Sequence, residues 1–210
     1  MADKGKGILK RVSTLQPGDK SDDIYDDWAA TYDRDLVETY GYLSPQIVTE
    51  ALLEYCPETA VSIIDYGCGT GLIGEALHQR GYRQIDGLDV SEGMLVVARQ
   101  KNVYTKLMVG DLTQSLNISS NHYDVMLSIG IFGNGHVEPQ HLPEMVRTVK
   151  VGGLILLYTN GQPYIDDDYA TSFAEFEQAG LWKILKTEAS NYMATLDRPG
   201  YLVVARKAGD

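Results

Sequence analysis

Residues 63–71, IIDYGCGTG, constrain this chain more than any other segment. An apolar run ends in an acid, Asp65, and glycines follow at alternate positions, Gly67, Gly69 and Gly71. A buried β-strand that ends this way turns sharply into a helix. A turn stripped of side chains lets its backbone lie against a ligand. A second apolar run ends downstream in another acid, Asp89. An acid at the tip of the neighbouring strand can accept both ribose hydroxyls of a nucleoside. Together the two features predict a nucleoside-containing cofactor across the first two strand tips.

The dinucleotide pattern G-x-G-x-x-G is met at Gly67 and Gly69 and fails at its third position, which is Leu72. The pattern present is D-x-G-x-G-x-G, from Asp65 to Gly71. An acid just ahead of the glycines is poor company for a pyrophosphate. It suits a cationic amine, such as the methionine ammonium of S-adenosylmethionine. The alternative is a tight strand–helix turn that binds nothing.

With these motifs the chain resembles the class I S-adenosylmethionine-dependent methyltransferases, from about Tyr25 to the C-terminus. IIDYGCGTG matches the first motif, so Asp65, Gly67, Cys68, Gly69, Thr70, Gly71 and Leu72 are implied as cofactor contacts. QIDGLDVSEGML matches the second, with Asp89 as the ribose acid, Val90 and Ser91 beside it, and Met94 on the adenine side. LMVGDL matches the third, with Gly110, Asp111 and Leu112; Asp111 would reach the adenine amino group. DVMLSIGIF and VKVGGLILLYTN match the fourth and fifth strands, and the backbone at Ser128, Ile129 and Gly130 would contact the methionine portion. The opening YDDWAATYDRDL and the later GNGHV look most like the methyltransferase-like family named for the Williams–Beuren chromosomal region. That resemblance implies an N-terminal helical lid, 21–57, which brings Tyr25, Trp28 and Tyr32 over the cofactor. Plain core packing of an amphipathic helix is the alternative for these aromatics.

A chain of 210 residues is about one domain with a single well-buried core. No run approaches the roughly 18 apolar residues needed to span a bilayer, and residues 1–20 lack an apolar signal core. Cys56 and Cys68 read as reduced thiols of a cytoplasmic protein. Residues 1–20 read as a disordered basic leader, with Lys4, Lys6, Lys10, Arg11 and Lys20 against Asp3 and Asp19. The rest is therefore more acidic than the net charge of −11 shows. An acidic body repels phosphate backbones, so no nucleic-acid partner is expected. A neutral or cationic small molecule, or a basic peptide, is easier to accommodate.

Along the chain, a helix is predicted over 21–38 and another over 44–55, with Pro45 in its first turn. Strands at 61–65, 84–88, 105–109, 123–129 and 154–158 alternate with helices at 71–80, 92–101 (capped by Ser91), 139–149 and 168–179. Strands near 182–192 and 199–206 follow without a helix between them, so they form a hairpin. The fold class is α/β: a three-layer, doubly wound, mostly parallel seven-stranded Rossmann-like sheet, with one antiparallel strand from the C-terminal hairpin.

Ligands of such sheets sit outside the carboxyl ends of the strands. The segment IFGNGHVEP after the fourth strand supplies Asn134 and His136. His136 is a candidate base or substrate-orienting group, with Asn134 beside it; a histidine that only shapes the turn is the alternative. Phe132, Asn160, Tyr164 and Tyr192 are candidate substrate contacts. Asp166, Asp167 and Asp168 read as a helix-capping turn, and no metal is expected because no His or Cys accompanies them. The expected activity is methyl transfer from S-adenosylmethionine, leaving S-adenosylhomocysteine, to an oxygen, nitrogen or sulfur of a small molecule. A protein acceptor, cofactor binding without catalysis, and a nicotinamide oxidoreductase are the rivals. The acceptor and the oligomeric state are not legible.

Overall fold

The computed structural model describes residues 22–132, 137–166 and 168–209. The basic leader therefore lies outside the described residues. So do Asn134 and His136.

The sheet has seven strands in the order β3-β2-β1-β4-β5-β7-β6. They are β1 (Ser62–Tyr66), β2 (Gln84–Asp89), β3 (Lys106–Val109), β4 (Tyr123–Ile129), β5 (Val149–Asn160), β6 (Trp182–Asn191) and β7 (Pro199–Lys207). The first five are mutually parallel, and β7 runs antiparallel between β5 and β6. The predicted hairpin is thus present, with its second strand inserted next to β5. The chain order reverses between β1 and β4, so the crevice of a doubly wound sheet opens at their carboxyl ends.

Alternating residues serve the two faces, as strand geometry requires. Ile63, Val125, Leu127, Leu156 and Tyr158 face one side. There they pack with Val48 and Leu52 of α2 (Ser44–Tyr55) and Leu77 of α3 (Leu72–Gln79). Ile64, Met126, Ile155 and Leu157 face the other. They meet Met145 and Val146 of α5 (Leu142–Arg147) and Phe173 of α7 (Tyr169–Gln178). The helix α4 (Glu92–Lys101) follows β2 and is capped by Ser91, whose Oγ accepts from Met94 N–H at 3.0 Å. No helix among the described residues is long and apolar enough to cross a membrane.

Several element boundaries differ from the sequence expectation. The helix expected over 21–38 is two pieces, α1 (Asp22–Trp28) and a π-helical turn (Arg34–Tyr40). The chain tightens where Thr31 N–H bonds the Trp28 carbonyl, and Asp35 accepts from both Trp28 Nε1 and Thr31 Oγ1 across the break. The helix expected over 139–149 is a 3-10 turn, Pro139–His141, followed by α5. Here β5 begins early, at Val149, and passes a register shift. Gly153 allows this, because a Cβ there would lie 2.8 Å from the Asp124 carbonyl. A short helix, α6 (Gly161–Asp166), follows β5 directly and carries no periodicity long enough to predict. Asp168 precedes α7 without a side-chain cap and with φ of 59°, so its carboxylate does not cap that helix.

Leu127 lies on β4 beneath the crevice and is fully buried. Leu127→Ala is expected to cost about 2–5 kcal/mol through lost burial and a residual cavity. In urea unfolding the midpoint falls and the slope stays constant.

Candidate active site

The reversal after β1 is built from backbone. Gly67 N–H and Cys68 N–H both reach the Leu88 carbonyl, at 2.8 and 3.1 Å. Gly67 has φ of 71°, and a Cβ there would meet Ile131 Cγ2 at 2.2 Å. Gly69 also has positive φ, 52°, but a Cβ there would meet nothing within 4 Å. Gly67 is thus required by packing, while Gly69 presents bare backbone to open space. The loop therefore offers the cradle that the glycine spacing predicts.

Asp89 ends β2 beside this loop. One carboxylate oxygen accepts from Gly69 N–H at 2.8 Å and the other from Ser91 N–H at 2.9 Å. Burial raises its pKa, and these backbone donors work against the rise. Cys68 is buried in the loop, and burial pushes its thiol well above the ordinary range, so it stays neutral and is no nucleophile. Thr70 is buried and donates to Asp33. Leu72 opens α3.

Asp65, at the tip of β1, is 1% exposed and has no cation beside it among the described residues. Its pKa is raised to about 7 by burial, with the Asp89 charge adding to the rise. Tyr104 opposes the shift by donating its phenol proton to Asp65 Oδ2 at 2.7 Å. A buried carboxylate of this kind is a ready partner for a cationic group.

The N-terminal segment bonds to both loops. Asp26 of α1 accepts from Ser91 Oγ and from Gly93 N–H, the latter at 3.0 Å. Asp33 accepts from Thr70 and pairs with Lys101 at 2.6 Å. Tyr25, Trp28 and Tyr32 form one ring cluster, with Trp28 and Tyr32 edge-to-face at 4.6 Å between centroids. Trp28 is 2% exposed and its indole N–H is engaged by Asp35, so it packs as core beneath the other two. Burial raises the phenols of Tyr25, Tyr32 and Tyr42, and Asp89 contributes to the first two and Asp65 to the third. These tyrosines therefore remain neutral donors along the crevice.

The remaining candidates divide between crevice and core. A Cβ on Gly130, which has φ of 70°, would lie 3.5 Å from the Tyr42 hydroxyl. Ser128 is buried and bonds the Tyr66 carbonyl, and Ile129 is half-buried. Tyr192 is 6.3 Å, centroid to centroid, from both Tyr42 and Tyr158. Asn160 ends β5, and Tyr164 stacks on Tyr201 at 4.0 Å. Phe132 is packed inside, edge-to-face with Tyr169. On the β2–β3 side, Met94 and Leu112 are buried, Val90 is exposed, and Gly110 packs on Leu88. Asp111 is exposed and accepts from Thr113 N–H and Oγ1. Sequence reasoning missed Tyr42, Tyr104, Asp26 and Asp33. Only Tyr104 left a trace, in the glycines at 74 and 87 that stand in a helix and a strand.

A methyltransferase-domain family model matches residues 63–153, from β1 into β5. Human methyltransferase-like protein 27 is 33% identical over 76% of this chain and 67% of its own length. The chain belongs to the class I S-adenosylmethionine-dependent methyltransferases. An 18S rRNA (guanine-N(7))-methyltransferase of Arabidopsis thaliana is 38% identical over 50% of this chain, and the match spans 37% of that protein. A malonyl-acyl-carrier-protein O-methyltransferase of Serratia marcescens is 33% identical over 46% of this chain and 37% of its own length. A TehB-like methyltransferase structure from Corynebacterium glutamicum shares the fold, with a TM-score of 0.65, 18% identity, and coverage of 87% of this chain and 98% of that one. The expected family, fold class and cofactor are thereby established.

The residues present fit S-adenosylmethionine. Asp89 at the β2 tip would accept its ribose hydroxyls beside the bare Gly69 backbone, and the buried Asp65, with no cation beside it among the described residues, would take its ammonium. The raised Asp65 gives a testable sign. A carboxyl whose folded pKa is raised from 3.8 to about 7 stabilises the free protein below the ordinary carboxyl range, and that stability is lost as pH rises toward 7. An ammonium beside Asp65 favours its anion, so binding at lower pH must displace a proton. Cofactor affinity is expected to rise between pH 5.5 and 7, by at most about tenfold per unit. That window lies below the range, ~7.7–8, where an α-amino group titrates. Calorimetry in buffers of different ionisation enthalpy should show proton release in this window, and Asp65→Asn should remove it.

Proposed function

We propose that this methyltransferase acts on an oxygen, nitrogen or sulfur atom of a small molecule. The observation that carries this reading is the crevice itself. Neutral tyrosines stand beside its two strand-tip acids, and Asp26 and Asp33 tie the N-terminal segment to its loops, which we read as a lid. A covered crevice of this kind suits a compact acceptor.

Bound S-adenosylmethionine supplies an activated methyl group on sulfur. The protein must then hold donor and acceptor in line and exclude water. In this reading Asp89 accepts the ribose hydroxyls, Asp65 faces the ammonium, and Asp111 stands at the adenine edge. A tyrosine face near a cation adds roughly 0.5–2 kcal/mol, which suits Tyr25 or Tyr32 against the sulfonium side. An acceptor that carries a proton at neutral pH also needs a base. His136 is proposed for that part or for orienting the acceptor, with Asn134 beside it. The net charge of −11 disfavours a phosphate backbone as substrate. The rRNA relative supports a nucleic-acid acceptor as the second reading, although the match to it spans half of this chain. The free thiols of Cys56 and Cys68 accord with a reducing, cytoplasmic setting.

Asp89→Ala should weaken cofactor binding by about 2–3 kcal/mol, the upper part of the range for a hydrogen bond to a charged group. Unchanged affinity in calorimetry would remove Asp89 from the ribose role. The acceptor is found with a labelled methyl donor and a fractionated cell extract, using Asp89→Ala as the control. Label in the low-mass fraction is the predicted outcome, and label in RNA or in protein overturns it. With that acceptor in hand, His136→Ala should abolish turnover while leaving donor affinity within twofold.

A further inference from the structure

Two glycines in this site have no backbone reason to be there. Gly74 lies inside α3 and Gly87 inside β2, and neither has positive φ. Glycine at such positions costs roughly 0.5–1 kcal/mol relative to alanine. One side chain lies against both. A Cβ on Gly74 would come within 2.5 Å of Tyr104 Cζ and 2.6 Å of its hydroxyl. A Cβ on Gly87 would meet Leu107 Cδ2 at 2.8 Å, Cys68 Sγ at 2.9 Å and Tyr104 Cδ1 at 3.1 Å. Gly71, at the head of α3, would meet the same ring at 2.9 Å. Three glycines from the loop, the helix and the strand thus form a slot for one phenol ring.

The slot delivers the hydroxyl to a defined place. Tyr104 enters from the turn before β3 and passes under the cofactor loop. It donates to the buried Asp65 carboxylate at 2.7 Å. Its oxygen lies against the first turn of α3, where a Cβ on Gly74 would come within 2.6 Å of it. The phenol donor favours the carboxylate anion it bonds. Of the other titratable groups facing Asp65, Asp89 disfavours that anion by its charge, while Cys68 and Tyr42 stay neutral. Among the described residues Tyr104 is the one side chain that supports it.

We infer that Tyr104 is a positioning residue for the cofactor: it fixes the Asp65 carboxylate in place, as an anion, to receive the donor's ammonium. This rests on the proposed pairing of Asp65 with that ammonium. The ring fills the slot, and the hydroxyl sets how strongly the site selects a ligand that carries the amino-acid end.

The test compares S-adenosylhomocysteine with methylthioadenosine, which keeps the nucleoside and thioether and lacks the amino-acid end. Calorimetric affinities of both are measured for the wild type, Tyr104→Phe and Asp65→Asn, across pH 5.5–7. Tyr104→Phe keeps the ring in its slot. It is expected to weaken S-adenosylhomocysteine about tenfold at pH 7, and to leave methylthioadenosine within twofold. The pH midpoint of S-adenosylhomocysteine binding should move upward. Asp65→Asn should cut the preference between the two ligands at least as much. Equal loss of both ligands in Tyr104→Phe would reduce Tyr104 to a packing wedge and overturn the inference. So would no change in either. A preference undiminished in Asp65→Asn would instead overturn the pairing on which the inference rests. Should Tyr104→Phe fold poorly, 3,5-difluorotyrosine at position 104 carries the test. Its stronger donor should shift the midpoint downward, and an unmoved midpoint would overturn the inference.

Discussion

At the tip of β1 the backbone turns back on its neighbour. The N–H groups of Gly67 and Cys68 converge on the Leu88 carbonyl, and the N–H of Gly69 meets the Asp89 carboxylate. This contact locks the loop to the end of β2 and sets the distance between the two acids that define the site. A side chain at Gly67 would collide with Ile131, so the loop cannot relax outward without losing the lock. Everything else in the site hangs on that reversal. It starts α3, exposes the Gly69 backbone and leaves Asp65 buried at the bottom.

Burial and charge then act against each other. Asp65, Asp89 and the N-terminal acids Asp26 and Asp33 gather near the strand tips, and Lys101 pairs with Asp33 and Glu75. Asp26 and Asp33 are satisfied by loop donors, so they hold α1 and the segment after it against the loops after β1 and β2. Asp65 has only a phenol. In the proposed reading the sheet keeps this site in reserve for the positive end of a zwitterionic ligand, and the tyrosines supply neutral surface around it. The body's acidity elsewhere adds to the repulsion of phosphate chains and does nothing to fill this reserve.

Much of this was legible in the sequence because it rests on short-range rules. The period-2 runs, the glycine turn and the Ser91 cap fix β1, β2 and α4 locally, and the missing helix between 192 and 199 fixes the hairpin. The misplaced elements depend on longer contacts. The split of the first helix follows from Asp35 bonding back to Trp28 and Thr31, and the early start of β5 follows from a close approach at Gly153. Neither is visible in a window of propensities. Within the site, the strand-tip acids carry a pattern, whereas Tyr42 and Tyr104 come from turns without periodicity. Tyr104 announced itself only indirectly, through glycines in a helix and a strand that local preference would have filled with other residues.

The account turns on where the two strand-tip acids meet the cofactor. The direct measurement is a crystal structure of the protein with S-adenosylhomocysteine, which keeps the ribose and the ammonium. The account predicts both ribose hydroxyls on the Asp89 carboxylate, at about 2.5–3.0 Å, and the ammonium on the Asp65 side of the loop, with the Tyr104 bond intact. A nucleoside seated away from Asp89, or an ammonium turned away from Asp65, would contradict it.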